Sequence, residues 1–208
     1  MNTSLRRFLA TGVLLFAAAG LFASSNSVDN LKSATASIKD EKDRLAVQAA
    51  IVAFDESKKL EEFFNQSYGV VIFPTVGKGG LGIGGAHGSG WGFRKGVLDG
   101  TSKMTQVTIG FQAGGQAFSQ IIFFETEADF NRFTSGNFEL GAQASAVALT
   151  AGANASASTA GGAGAGANAS QAKSTYSDGM AIFTMAKGGL MYEASVGGQK
   201  FKYREVKK

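Results

Sequence analysis

The glycine-rich stretch Tyr68-Gly-Val-Val-Ile-Phe-Pro-Thr-Val-Gly-Lys-Gly-Gly-Leu-Gly-Ile-Gly-Gly-Ala-His-Gly-Ser-Gly90 constrains this chain more than any other segment. A short apolar strand meets the only proline, Pro74, and glycine then takes over. Glycine loses more backbone entropy on folding than any other residue, so this density requires a structural reason. Three are open: a phosphate cradle, backbone packed against backbone, or a flexible linker.

The cradle fails on context. Gly80-Leu-Gly82-Ile-Gly-Gly85 fits the dinucleotide pattern, which needs a helix directly after it to receive the pyrophosphate. Ala86 to Phe93 instead holds three more glycines. Gly77-Lys78 resembles the end of a P-loop, but Gly79 stands where Ser or Thr must hold magnesium. The structural reading has Pro74 ending a strand and Gly79 to Gly90 serving where a sheet bends, bulges or touches another backbone. Lys78 is then exposed at the tip of a turn, as a solvated surface lysine or as a contact to a lipid headgroup.

The flanks fix the fold class. Ser27 to Phe64 has no glycine or proline and reads as helix, with a stripe of Val47, Ala50, Ile51 and Phe54 and another of Leu60, Phe63 and Phe64. The polar run Asp55 to Lys59 between them predicts two helices meeting near Ser57. Leu31, Thr35 and Ile38 form a weaker stripe before them. After Tyr68, segments rich in Val, Ile, Phe and Thr alternate with glycine, predicting strands near 69–73, 80–87, 90–95, 103–111 and 116–124. Thr126-Glu127-Ala128-Asp129 resembles a capping box opening a short helix, with Phe130 and Phe133 on one face, that ends at Gly136. Strands near 175–186, 189–196 and 199–205 follow, with turns at Lys187-Gly188-Gly189 and Gly197-Gly198. Between Gly141 and Ala172 the composition collapses to small residues. The part up to Leu149 is able to pair as a strand, and about 150–172 reads as a low-complexity loop. The expectation is an α+β fold: N-terminal helices packed on a glycine-rich, strongly bent antiparallel β-sheet or half-barrel, with one short helix between strands.

Arg6 and Arg7, the apolar run Phe8 to Phe22 and the small residues Ala23-Ser24-Ser25 follow the order of a secretory signal peptide. Residues 1–25 are therefore expected to direct export, with an uncleaved anchor as the alternative, and 26–208 to form a single domain. There is no cysteine, which excludes disulfides, thiolate metal sites and a lipid-modified cysteine. The net charge is +4, and Arg6 and Arg7 supply part of it, so the balance does not support a nucleic-acid partner. No metal site or cofactor is expected, since the chain has one histidine, His87, and no suitably spaced carboxylates. No catalytic residue is assigned either. A hydrolase would have to use His87 and Ser89, and their context lacks the strand-to-helix elbow. An outer-membrane barrel is disfavoured by the helical N-terminal third and by short, few strands.

In Lys200-Phe-Lys-Tyr-Arg204, alternation puts Phe201 and Tyr203 on one face and Lys200, Lys202 and Arg204 on the other. Such a row either meets an anionic membrane or protects an edge strand from pairing with other molecules.

Several motifs in one order resemble the SYLF domain family. They are Tyr68 to Pro74, Gly77 to Gly90, Thr108-Ile-Gly-Phe-Gln-Ala-Gly-Gly115, Ile121-Ile-Phe-Phe124, and Tyr176 through Lys187 to Val196. The resemblance spans about Leu31 to Tyr203. It implies phospholipid binding, notably of phosphoinositides in eukaryotic members, carried largely by a basic amphipathic N-terminal segment. Asn30-Leu31-Lys32-Ser33 stands at the matching place, which implies a role for Lys32 and secondarily for Lys39, although Asp40, Glu41 and Asp43 dilute the charge. The expected function is a non-enzymatic lipid-binding domain of the bacterial envelope, periplasmic or peripheral on a membrane. It would contact anionic phospholipid through Lys32, Lys39, Lys78, Lys200, Lys202 and Arg204. The alternative is a structural or interaction module with an envelope protein partner.

Overall fold

The computed structural model describes residues 23–141, 147–149 and 176–206. The expected signal segment up to residue 22 and the low-complexity stretch 150–172 lie outside the described residues. Helices come first: α1 (Ala23–Ala34), α2 (Glu41–Asp55) and α3 (Glu61–Gln66). A 3-10 turn, Lys58–Leu60, joins α2 to α3, as the polar break near Ser57 predicts. A second break was not visible in the stripe. Ile38 is extended, and Asp40 caps α2 by accepting the backbone N–H of Asp43 at 2.9 Å. Leu31, Thr35 and Ile38 are nonetheless all buried.

The sheet departs from the expected segmentation. The predicted short strands are three long ones, β1 (Gly69–Arg94), β2 (Val97–Phe124) and β5 (Met180–Glu205). The short strands β3 (Asn137–Leu140) and β4 (Val147–Leu149) complete the set, and α4 (Glu127–Thr134) lies before them. The sheet order is β1-β2-β5-β3, antiparallel, with β4 added to β5 in parallel. Neither Lys187-Gly188-Gly189 nor Gly197-Gly198 is a turn, because β5 stays paired with β2 through both, with Lys187 an extra residue between Ala117↔Gly188 and Phe118↔Ala186. Pro74 does not end β1. It lies on an edge strand, where the missing N–H is not needed, and in a bulge where Pro74 and Thr75 face Ser119. Its carbonyl accepts Ser119 Oγ at 2.8 Å and Lys187 Nζ at 2.9 Å. Lys95 (φ 49) and Gly96 (φ 74) make the two-residue hairpin turn between β1 and β2, both in the left-handed region such turns require.

The long sheet is folded back on itself. Between Leu81↔Ala113 and Ile83↔Ile109, the single residue Gly82 (φ 72) faces three residues of β2. β1 then returns across its own first half. A Cβ on Gly88 would lie 2.8 Å from Val76 Cγ2 and 3.0 Å from the Thr75 carbonyl, and one on Gly90 would lie 2.6 Å from the Phe73 ring. Backbone packed against backbone, one of the three readings of the glycine run, is thus the one the fold uses. The limbs approach too closely for side chains at these positions.

Two apolar clusters follow from this folding. On the outer face of the first limb, Val70, Ile72, Ile121, Phe123, Phe183 and Met185 pack under helix residues Val47, Ile51, Phe54, Phe63 and Phe64. Between the limbs, Val71, Phe73, Ile122, Phe124, Met104, Phe201 and Tyr203 form the second cluster. The predicted short helix, α4, closes the end of this cluster away from the fold. Thr126 accepts the backbone N–H of Asp129, and Phe130 and Phe133 are fully buried. Phe133 lies 5.0 Å from Phe124 on one limb and 5.1 Å from Phe201 on the other, centroid to centroid. Each such ring pair adds about 0.5–1.5 kcal/mol beyond its buried area. Among the described residues, no helix is long and apolar enough to cross a membrane.

Candidate functional site

The candidate site is the outer face of the second limb. Helices cover the outer face of the first limb, whereas this face presents alternate residues to solvent. Register fixes its rows, because directly opposed residues of antiparallel strands share a face. Starting from the fold, the rows are Ile83–Ile109, then Gly85–Val107–Gly198, then His87–Thr105–Lys200, then Ser89–Lys103–Lys202, then Trp91–Thr101–Arg204, where Trp91 is buried in the helix cluster. The residues between them, Met104, Phe201 and Tyr203, point inward and are buried. Lys103, Lys200, Lys202 and Arg204 are exposed. Among the described residues of these three strands from Ile83 to Arg204, this face carries no carboxylate. On the neighbouring β3, Glu139 bonds Lys200 Nζ at 2.8 Å. A shallow groove of about 290 Å³, lined by Val107, Leu140, Gly198 and Lys200 among others, lies on the same side.

The six sequence-predicted cations separate. Lys200, Lys202 and Arg204 stand on this face as alternation predicts, and Lys103 joins them. Lys103 carries no local signal, since only the β2–β5 register brings it opposite Lys202. Lys32 sits at the end of α1, its Nζ 3.9 Å from Asp29 and 3.8 Å from Asp55, so two carboxylates already share its charge. Lys39 is exposed just before the α2 cap. Lys78 is half-buried within β1, opposite Gln116, and not at a turn tip. It shares the face of Val76 and Gly80 that looks toward the other limb.

Edge protection does not account for Lys200 and Lys202. At these positions β5 is an interior strand, paired with β2 on one side and with β3 through Asn137↔Lys202 and Glu139↔Lys200 on the other. Instead Lys103 and Lys202 are placed directly opposite each other, an arrangement that costs stability unless an anion sits between or above them. The buried side of the same limb is tied down by an ion-paired cluster. Arg94 Nε donates to Asp99 at 2.7 Å, and the Tyr203 hydroxyl donates to the other Asp99 oxygen at 2.9 Å. The hydrogen bond to Asp99 raises the Arg94 pKa against its partial desolvation. Burial first, then the Asp99 charge and hydrogen bond, raise that of Tyr203.

His87 and Ser89 are exposed neighbours along one edge strand. Among the described residues, no group of three or more His, Asp or Glu gathers as a metal site.

Residues 105–207 match the family model described as Ysc84, a Las17-binding protein actin regulator. Over these residues the chain is similar to the SYLF domain family. Beta cell expansion factor A of Aeromonas veronii is similar over 158 residues at 25% identity, covering 76% of this chain and 54% of the relative. The chain thus spans about half the length of the curated relative it matches. No solved structure matches. The SYLF match includes β5 with Lys200, Lys202 and Arg204, whereas Lys32, Lys39, Lys78 and the Tyr68–Gly90 run precede it.

Proposed function

We propose that this SYLF-like domain is a non-enzymatic, lipid-binding module of the bacterial envelope that meets anionic phospholipid through the outer face of β2 and β5. The observation that carries the reading is the opposition of Lys103 and Lys202 on an interior strand pair, with Lys200 and Arg204 beside them. A cation near an anionic membrane surface contributes about 1 kcal/mol, so a cluster of this size supports reversible, salt-sensitive association. This reading moves the weight of the contact from the N-terminal segment to the sheet, where several cations share one face, whereas Lys32 stands alone on α1 with Asp29 and Asp55 at 3.9 and 3.8 Å. The same proposal has residues 1–25 direct export, so that the domain works in the periplasm.

Flotation of the full chain with vesicles of phosphatidylcholine, with and without phosphatidylglycerol, tests it at low salt. Co-flotation is expected only with the anionic lipid, falling at least tenfold in Lys103→Glu/Lys202→Glu and little in Lys32→Glu. Equal flotation of the double variant, or no dependence on anionic lipid, would refute the reading.

A further inference from the structure

We propose that the fold tip of the second limb is an apolar wedge that enters the acyl region of an anionic bilayer while the lysine band stays at the headgroups. The inference rests on the lipid reading and names how the same face engages the membrane.

Four large aliphatic side chains cluster at the tip: Leu81 is 84% exposed, Ile83 67%, Ile109 68% and Val107 58%. Ile83 and Ile109 are register partners, Val107 is the next outward residue of β2, and Leu81 stands on the other side of Gly82. Isolated surface aliphatics are ordinary, but adjoining ones at one end of a molecule mark an interaction surface. They gain nothing from the core, since the inward positions beside them are Gly84, Ala86 and Thr108.

The order of residues along the face selects the partner. Apolar rows come first, Lys200 follows in the third row, and Lys103 with Lys202 in the fourth. A strand advances about 3.3 Å per residue, which sets the Lys200 row about 13 Å behind the Ile109 row. Lysine stems extend back along apolar surface while their ammonium groups stay in water or among headgroups, which shortens that gap. The separation matches a structure whose apolar end lies about 5–10 Å past the headgroup boundary. A protein groove would not require this banding, whereas a bilayer presents anionic and apolar layers in this sequence. Gly82, Gly84 and Gly85 keep the wedge thin, with no side chain at those positions.

The absence of cysteine makes the test direct, because any introduced thiol is unique. The full chain carrying Leu81→Cys, labelled with an environment-sensitive fluorophore, is mixed with phosphatidylcholine–phosphatidylglycerol vesicles, and Lys59→Cys on the exposed helical side serves as the control. The label at 81 is expected to brighten at least threefold with a blue shift, and to be quenched by spin labels on the acyl chains. The label at 59 should not change. Ile83→Asp/Ile109→Asp, both at exposed positions, should abolish the change at 81. If the protein floats with the vesicles but the label at 81 stays in water, the wedge is wrong and surface binding stands. If nothing floats, both fall. Brightening that depends on protein concentration without vesicles assigns the tip to a second copy of the chain and overturns the proposal.

Discussion

The closed end of the folded sheet and its tip are made by the same three strands, yet they are built on opposite terms. At the closed end the limbs are held apart by large rings: Phe73, Phe124 and Phe201, with Phe130 and Phe133 of α4 driven between them, are each 1% exposed or less. At the tip the limbs nearly touch, the inner positions are small residues such as Gly84, Ala86 and Thr108, and large aliphatic side chains point outward instead. One end uses apolar surface to hold the protein together, and the other displays it. The contrast teaches that a continuous strand does not imply a uniform role.

Breaking the closed end should have the largest effect. Phe124→Ala removes a fully buried ring that touches Phe130 and Phe133. A loss of about 3–5 kcal/mol is expected, or about 6–20 °C in thermal melts, with Trp91 as the buried reporter. Leu81→Ala at the tip should stay within about 0.5 kcal/mol. A comparable loss at both positions would erase the distinction. Glycine provides the next test. Gly90→Ala drives a methyl into the Phe73 ring and the Ile72 carbonyl, at 2.6 and 2.8 Å, for an expected cost of about 1–3 kcal/mol in denaturant titration. Gly85→Ala, whose nearest neighbour is the Gln106 carbonyl at 3.7 Å, should be neutral or slightly stabilising.

A smaller effect is expected at Tyr203. Tyr203→Phe keeps the ring but removes the hydrogen bond to Asp99, costing about 1 kcal/mol at neutral pH. It also changes the alkaline limb of stability. Burial and the Asp99 charge raise the phenol pKa in the folded protein, so above the unfolded tyrosine value, about 10, the unfolded chain releases its proton first. The contribution is therefore fully present below about pH 10 and is lost as pH rises toward the folded value. Tyr176, pushed up to about 12 chiefly by burial, adds to the same loss. Melts between pH 8 and pH 11 should show a shallower alkaline decline for the variant, and an unchanged slope would remove Tyr203 from the account. The smallest shift is expected from Lys202→Thr, which relieves the opposition to Lys103. Stability should rise by about 0.2–1 kcal/mol while flotation with anionic vesicles weakens. Both moving down together would mean that Lys202 serves the fold rather than a ligand.

Much of this was legible in the residues. Helical stripes, the cap at Thr126 and the ring pair Phe130 and Phe133 reported their structure locally, because each depends on neighbours within a turn or two. The bend was legible as glycine density, but the continuity of the strands through it was not. Glycine signals a turn and a close approach with equal force, and only the return of β1 over Phe73 and Val76 decides between them. The face was half legible. Alternation oriented Lys200, Lys202 and Arg204 correctly, while the identity of β5 as an interior strand and its alignment with Lys103 depend on pairing across about a hundred residues of sequence. Lys32 and Lys78 show the converse: a cation in a suggestive motif is consumed by partners or by burial that the motif does not encode.

The two-residue turn at Lys95-Gly96 has a consequence in time. From it β1 and β2 can zip outward with their first contacts only a few residues apart, before any of β5 exists. β2 will then stand with an open edge until Met180 emerges, and Gly100 cannot meet Glu205 until more than a hundred further residues have been made. The domain is therefore expected to assemble by capture of its last strand on a preformed hairpin, and the interval before that capture is when the nascent chain is most exposed to pairing with the wrong strand.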